Sequence, residues 1–330
     1  MSEEQKEIVI VGCGAGGGSS AQFAKKTNRK AKITIFEKGT YPQYSKCGLP
    51  YTISGEIPEF KDLIEFTEEW FKKRDIDLQL NTTVEDIDKK NKKLTVKKNG
   101  EKKEKKYDSL IIATGAKPFI PPIENIKKNG DLKKNINVVR TIDDAKKIAK
   151  QLKKTKRATI IGAGFIGLEI ADCLHKKNIE VCIVEALPYI LPGTFDKDMA
   201  KQIQKKIPDD IKFYTNCTAS KLIENKKGIQ KIVIKNKEND EEKELDTDLV
   251  IIAAGTKPNV DLAKKAGCKI GDTNRIQVNE KSETTVEDIY AVGDCTEYKN
   301  FITNKPTPVG LGSIVVRQGI AAGINAADGN

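Results

Sequence analysis

The strongest pattern along the chain is a set of short apolar runs that occur in matching pairs. Ile8-Val9-Ile10-Val11 leads through a glycine-rich turn and a helix-like stretch into Ile33-Thr34-Ile35-Phe36. Thr159-Ile160-Ile161 leads through a second glycine turn and helix into Val181-Cys182-Ile183-Val184. Each segment predicts a βαβ unit. A second pair begins at Tyr107 and Asp248, where Leu110-Ile111-Ile112 and Leu249-Val250-Ile251-Ile252 each run on to a Gly and then a Pro. Continuous apolar strands of this kind are expected in a parallel sheet covered on both faces.

The pairing predicts an α/β chain with two Rossmann-like dinucleotide-binding domains, each carrying a parallel sheet plus a β-meander. One domain is expected at 1–120 and 247–330, with the other inserted at 121–246. Gly130 to Ala149 reads as a connector followed by a helix. The lysine-rich stretches Asn91 to Lys106 and Lys226 to Glu244 read as the meanders, and Arg317 to Ala327 as the last helix.

Composition narrows the function classes. The 330 residues are 38% hydrophobic and 32% charged, as in a globular protein, and no apolar run approaches the roughly 18–20 residues of a membrane span. Met1 to Glu7 is polar, without the pattern of a signal peptide, so a cytoplasmic location is expected. The net charge of +11 comes mostly from lysines spread along the chain and interleaved with acids. This suits attraction of a small anionic substrate better than nucleic-acid binding, and the runs Lys102 to Lys106 and Lys231 to Lys243 read as solvated surface. The seven cysteines (13, 47, 173, 182, 217, 268, 295) include no CxxC, so neither a paired-thiol motif nor a metal knuckle is written locally. Most read as reduced, buried thiols.

Three motifs carry chemistry. Gly12-Cys13-Gly14-Ala15-Gly16-Gly17 fits GxGxxG between a strand and a helix, where the backbone must approach a pyrophosphate, and Glu37 stands where a carboxylate meets an adenosine ribose. Gly162-Ala163-Gly164-Phe165-Ile166-Gly167 repeats the motif, with Glu185 in the equivalent place. That acid favours NADH over NADPH, since it repels a 2′-phosphate and is followed by Ala186 and Leu187 rather than a base. The third, Thr284 to Asp294, ends a strand in a Gly-Asp turn.

The run TTVEDIYAVGD at 284–294 resembles the second FAD signature of the pyridine nucleotide–disulfide oxidoreductases, and the resemblance extends over essentially the whole chain. It implies FAD in the first domain and NADH, with NADPH possible, in the inserted one. Tyr44-Ser45-Lys46-Cys47-Gly48-Leu49-Pro50-Tyr51 resembles the single-cysteine branch: coenzyme A disulfide reductases, NADH oxidases and peroxidases, and CoA-dependent sulfur or persulfide reductases. Cys47 is then the redox-active residue, cycling through a mixed disulfide or a sulfenic acid, with Lys46 able to favour its thiolate by charge. The resemblance also assigns FAD contacts to Lys38, Cys47, Val84, Ala113, Thr114, Gly115, Ala116, Arg140, Asp294, Leu311, Gly312 and Ser313. It assigns Gly162, Gly164, Phe165, Ile166, Gly167, Glu169, Glu185 and Gly255 to the nicotinamide nucleotide. Ser19, Lys26, Gln43, Lys46 and Arg74 align with positions that contact coenzyme A.

The implied activity passes electrons from NAD(P)H through FAD and Cys47 to a CoA disulfide, persulfide or polysulfide. The alternatives are an NADH oxidase reducing O₂ and an electron-transfer or interaction flavoprotein for a protein partner. Ala15 stands where the peroxidases place a histidine, and the single histidine, His175, falls on the helix of the inserted domain. The sequence ends at Asn330, where members of the family continue into a C-terminal interface domain. The expectation is a chain without that domain, in which homodimerisation and rapid disulfide turnover are impaired while flavin reduction by NADH survives.

Overall fold

The computed structural model describes residues 5–225 and 228–329. They fall into two units, Met1–Ser45 with Ile64–Lys117 and Pro258–Asn330, and Lys46–Leu63 with Pro118–Lys257.

In the first unit, five parallel strands lie in the order Ile289–Ala291, Ser109–Ile112, Glu7–Val11, Lys32–Phe36, Ile76–Gln79. The apolar runs are continuous because both faces are covered. Val9, Val11, Leu110 and Ile112 point into one core with Val84, Leu94 and Val96 of an antiparallel meander. Ile8, Ile10, Ile33, Ile35 and Ile111 point into the other, beneath the helices Ala15–Thr27 and Gly312–Ala326. The meander is Thr82–Asp88, Lys93–Lys98 and Glu101–Lys106.

The second unit repeats the plan. Its parallel order is Ile136–Val138, Leu249–Ile252, Arg157–Ile161, Glu180–Val184, Lys212–Tyr214. Its meander is Cys217–Asn225, Gly228–Asn236 and Glu242–Asp246. Leu222, Ile232, Ile234 and Leu245 pack beneath Ile161, Val184, Val250 and Ile252.

Four expectations need correction. The chain does not return to the first unit near 247, because Leu249–Ile252 pairs with strands of the second sheet on both sides, and the return comes at Pro258. The echo between Leu110 and Leu249 marks equivalent places in two sheets, one strand in from the edge. Residues 46–63 group with the second unit, since the helix Leu49–Ser54 packs on Ile142–Leu152 and Phe165–His175. The last helix begins at Gly312, not Arg317. The stretch from Lys231 to Lys243 is not wholly solvated surface: Ile232, Val233 and Ile234 are buried. The meander position of Lys226 and Lys227 lies outside the described residues.

Candidate functional site

The two glycine turns share one geometry. Gly12 has φ +106° and Gly162 φ +107°, a conformation that favours glycine. A Cβ at Gly17 would lie 1.9 Å from the Gly12 carbonyl oxygen, and one at Gly167 would lie 2.0 Å from that of Gly162. Each helix is thereby pressed against the turn that starts it. The middle glycines differ: around a Cβ at Gly14 or Gly164 there is nothing within 4 Å. Both helices begin without a side-chain cap and without an acidic residue in the first turn. Their leading N–H groups are therefore open to an anion.

The acids close the arrangement in the same way twice. Glu37 Oε2 accepts from the Cys13 N–H at 2.7 Å and Oε1 from the Gly39 N–H at 2.7 Å. Glu185 Oε2 accepts from the Ala163 N–H at 2.7 Å and Oε1 from the Leu187 N–H at 2.9 Å. Each carboxylate is thus anchored at the rim of its turn, where a ribose would arrive. A closed inner pair of glycines, an open middle one, a free helix start and an anchored acid fit a dinucleotide in both units.

In the first unit the Thr114-Gly115 turn is held by Asn259. Its side-chain amide donates to the Thr114 carbonyl at 2.9 Å, its N–H donates to the Gly115 carbonyl at 2.9 Å, and the Thr114 hydroxyl donates to its carbonyl at 2.7 Å. The Gly293-Asp294 turn is held by Gln318, whose Oε1 accepts from the Gly293 N–H at 2.9 Å. Neither Asn259 nor Gln318 stands in a motif, and no signal in one sequence marks them. Leu311 is exposed and Gly312 opens the last helix with free space around it. Val84 is buried in the core and Ala116 is buried too, so only their backbones can face a ligand, whereas Lys38 is exposed.

Cys47 lies in the short turn Lys46–Gly48 ahead of the helix Leu49–Ser54 and is the exposed member of the seven free cysteines. Burial pushes the Cys13 thiol up to about 12, with the Glu37 charge adding to the effect, so a thiolate there is disfavoured at neutral pH. In the second unit, Phe165 and Ile166 are exposed beside the glycine turn, and burial raises the half-buried Glu169 carboxyl above its ordinary value. Gly255 takes φ +97° at the end of its strand. Arg140 is half-buried just before the capping box of Thr141 and Asp144. His175 Nε2 lies 2.9 Å from Asp210 Oδ2.

The coenzyme A positions divide. Lys26 and Arg74 are both exposed, and the ion pair between Lys25 and Asp75 at 2.8 Å ties their neighbours together, so the two cations share one region. The Arg74 guanidinium stacks on Trp70 at 3.8 Å, and Trp70 stacks on Phe66 at 4.0 Å. Ser19 is buried; a Cβ on Gly319 of the last helix would lie 2.9 Å from its Cβ, so it faces a helix rather than solvent. Gln43 is buried against Gly18 with its Oε1 unpartnered. Lys46, next to Cys47, is exposed.

One residue that spacing could not reveal is Lys237. Its ammonium donates to the Ala186 carbonyl at 3.2 Å, so Glu185 does have a basic neighbour, delivered from the meander. Among the described residues there is no cluster of His, Cys, Asp and Glu able to hold a metal ion, and no helix long and apolar enough to cross a membrane.

Residues 6–319 match the family model for pyridine nucleotide-disulphide oxidoreductases. An NADH oxidase of Methanocaldococcus jannaschii is 41% identical over 97% of this chain and 69% of its own length. A CoA-dependent NAD(P)H sulfur oxidoreductase of Pyrococcus furiosus is 34% identical over 98% of this chain and 71% of its own. Among solved structures, an NAD-dependent persulfide reductase from A. fulgidus is 33% identical with a TM-score of 0.91, covering 98% of this chain and 60% of that one. The chain therefore spans about two thirds of the length of these proteins. With its two nucleotide-type sheets and the family match along almost all of its length, this chain belongs to the pyridine nucleotide-disulphide oxidoreductases, a family of enzymes that use FAD and NAD(P)H.

Proposed function

We propose that the chain is a reductase that carries electrons from NAD(P)H to a small sulfur substrate, a CoA disulfide, persulfide or polysulfide, with Cys47 as the reacting thiol. The observation that carries this reading is the contrast between Cys47, exposed in its turn, and six cysteines that are buried or half-buried. FAD, when bound, supplies a two-electron carrier between a hydride donor and a sulfur acceptor.

The residues divide the work. Gly12 to Gly17 and the helix start at Ala15 would hold the flavin pyrophosphate, Glu37 its ribose, and Asp294 its ribityl chain on the turn braced by Gln318. Gly162 to Gly167 and Glu185 would hold the nicotinamide nucleotide. Glu169, whose carboxyl burial holds above its ordinary value, would sit near the nicotinamide. The Cys47 thiolate attacks the outer sulfur of the substrate, the sulfur–sulfur bond breaks, and a thiol leaves. Lys26 and Arg74 supply positive charge for the phosphates of a CoA carrier, and Arg74 is pre-oriented by its stack on Trp70.

A second reading, reduction of O₂, is favoured by the name of the 41% identical relative, an NADH oxidase. Anaerobic NADH consumption separates the two. Oxidation that depends on added CoA disulfide or polysulfide, and that is lost in Cys47→Ser, is the expected result. Consumption that needs oxygen and survives in Cys47→Ser would establish the oxidase instead.

A further inference from the structure

We propose that Lys237 is a specificity-determining residue: it offers a contact to the 2′-phosphate of NADPH and so lets a site that Glu185 biases toward NADH accept both nucleotides. The inference rests on the reading that the second unit binds NAD(P)H.

The observations are local and independent of one another. Glu185 ends its strand with both carboxylate oxygens accepting backbone N–H groups, which sets the adenosine ribose against this rim. Ala186 and Leu187, next in the chain, are exposed and leave room beside it. Lys237 reaches this place from the meander, and the backbone fixes its approach. The Lys237 N–H donates to the Asn216 carbonyl at 2.8 Å, and the Asn216 N–H donates to the Leu187 carbonyl at 3.1 Å. Asn216 itself holds φ +54°, the left-handed turn that asparagine tolerates.

The Lys237 ammonium has only the neutral Ala186 carbonyl as a partner and makes no ion pair among the described residues. Its neighbours on the meander are paired: Lys231 with Glu244 at 2.6 Å, and Lys235 with Asp240 at 2.8 Å. Glu238, the adjacent acid, accepts instead from the Asn216 side-chain amide at 2.9 Å. A cation beside a ribose pocket that makes no ion pair among the described residues keeps its charge for an incoming anion.

The first unit provides an internal control. Its strand register pairs Thr82 with Lys98, as Cys217 pairs with Asn236 in the second unit. The residue following the strand is therefore Asn99 in one unit and Lys237 in the other. The neutral residue holds this register position in the unit assigned to FAD, whose adenosine carries a 2′-hydroxyl. The cation stands by the turn assigned to NAD(P)H, where a 2′-phosphate is the chemical variable.

Binding of 5′-AMP and 2′,5′-ADP, which differ only in the 2′-phosphate, tests the proposal by titration calorimetry on FAD-saturated protein. Lys237→Ala should shift the ratio of the two affinities by about tenfold against 2′,5′-ADP, as expected for one partly solvated charge-assisted contact. Lys237→Arg should restore the ratio, and added salt should shrink the effect. An unchanged ratio in Lys237→Ala, or equal weakening of both ligands, would overturn the proposal. Failure of the wild type to bind 5′-AMP at all would overturn the nucleotide reading of the second unit, and the proposal with it.

Discussion

Replacing Gly14 by alanine separates what the first turn does for folding from what it does for the cofactor. Gly14 has φ −80° and ψ −170°, which alanine adopts freely, and an added methyl would meet nothing within 4 Å. As the N-cap residue, alanine costs up to about 1 kcal/mol relative to glycine. The FAD-free variant should therefore unfold in urea close to the FAD-free wild type. The same methyl stands where a pyrophosphate must approach the open N–H groups. Losing two charge-assisted backbone contacts at about 1.5–3 kcal/mol each lowers FAD affinity by at least roughly a hundredfold. Gly17→Ala is the contrasting control. Its Cβ at 1.9 Å from a carbonyl oxygen forces the helix off the turn, so that variant loses stability even without FAD. FAD per chain, read from visible absorbance after purification, together with the urea midpoint of the FAD-free form, decides the matter. Gly14→Ala retaining a full complement of tightly held FAD would refute the assignment of this turn.

The remaining predictions concern single side chains. Like-charge contact at Glu185 disfavours a 2′-phosphate by roughly 1–2 kcal/mol, so Glu185→Gln should move the ratio of kcat/KM for NADH over NADPH by about tenfold toward NADPH; an unchanged ratio in that variant would contradict this. Iodoacetamide should label Cys47 first in the native protein, leaving Cys13 until unfolding, because burial holds the Cys13 thiol at about 12; peptide mass mapping reads the order, and early labelling of Cys13 would contradict it. Glu169 has a folded pKa above its ordinary 4.5, so the native state holds its proton longer than the unfolded chain and loses stability as pH rises from 4.5 through the raised value. Glu169→Gln should therefore raise Tm at pH 7 and leave it unchanged at pH 4, and an equal shift at both would show that the charge is not the cause.

The fold was legible where short-range pattern and burial coincide. Ile8 to Val11 and Leu249 to Ile252 are apolar at every position because both sheet faces are covered, and the glycines of both turns are needed for the close approaches found there. The return boundary is not legible, because Leu249 to Ile252, like Leu110 to Ile112, says only that a strand is buried, not in which sheet. The placement of residues 46–63 depends on packing of Leu49–Ser54 against helices about ninety or more residues away, which leaves no local trace. Lys237, Asn259 and Gln318 act through hydrogen bonds to distant turns, and spacing is blind to such contacts. Ser19 shows the converse. The family resemblance marks it for a ligand, while it is buried beside Gly319 of the last helix.

Anaerobic NADH titration after treatment with CoA disulfide and removal of the excess shows whether Cys47 is the thiol between NADH and a sulfur substrate. Wild-type protein should carry one CoA as a mixed disulfide on Cys47. It should consume two equivalents of NADH per FAD, releasing one CoA thiol with the first and losing its flavin absorbance with the second. Cys47→Ser should bleach with a single equivalent and release no thiol. Wild-type protein that bleaches with one equivalent and releases no CoA would mean that Cys47 is not that thiol.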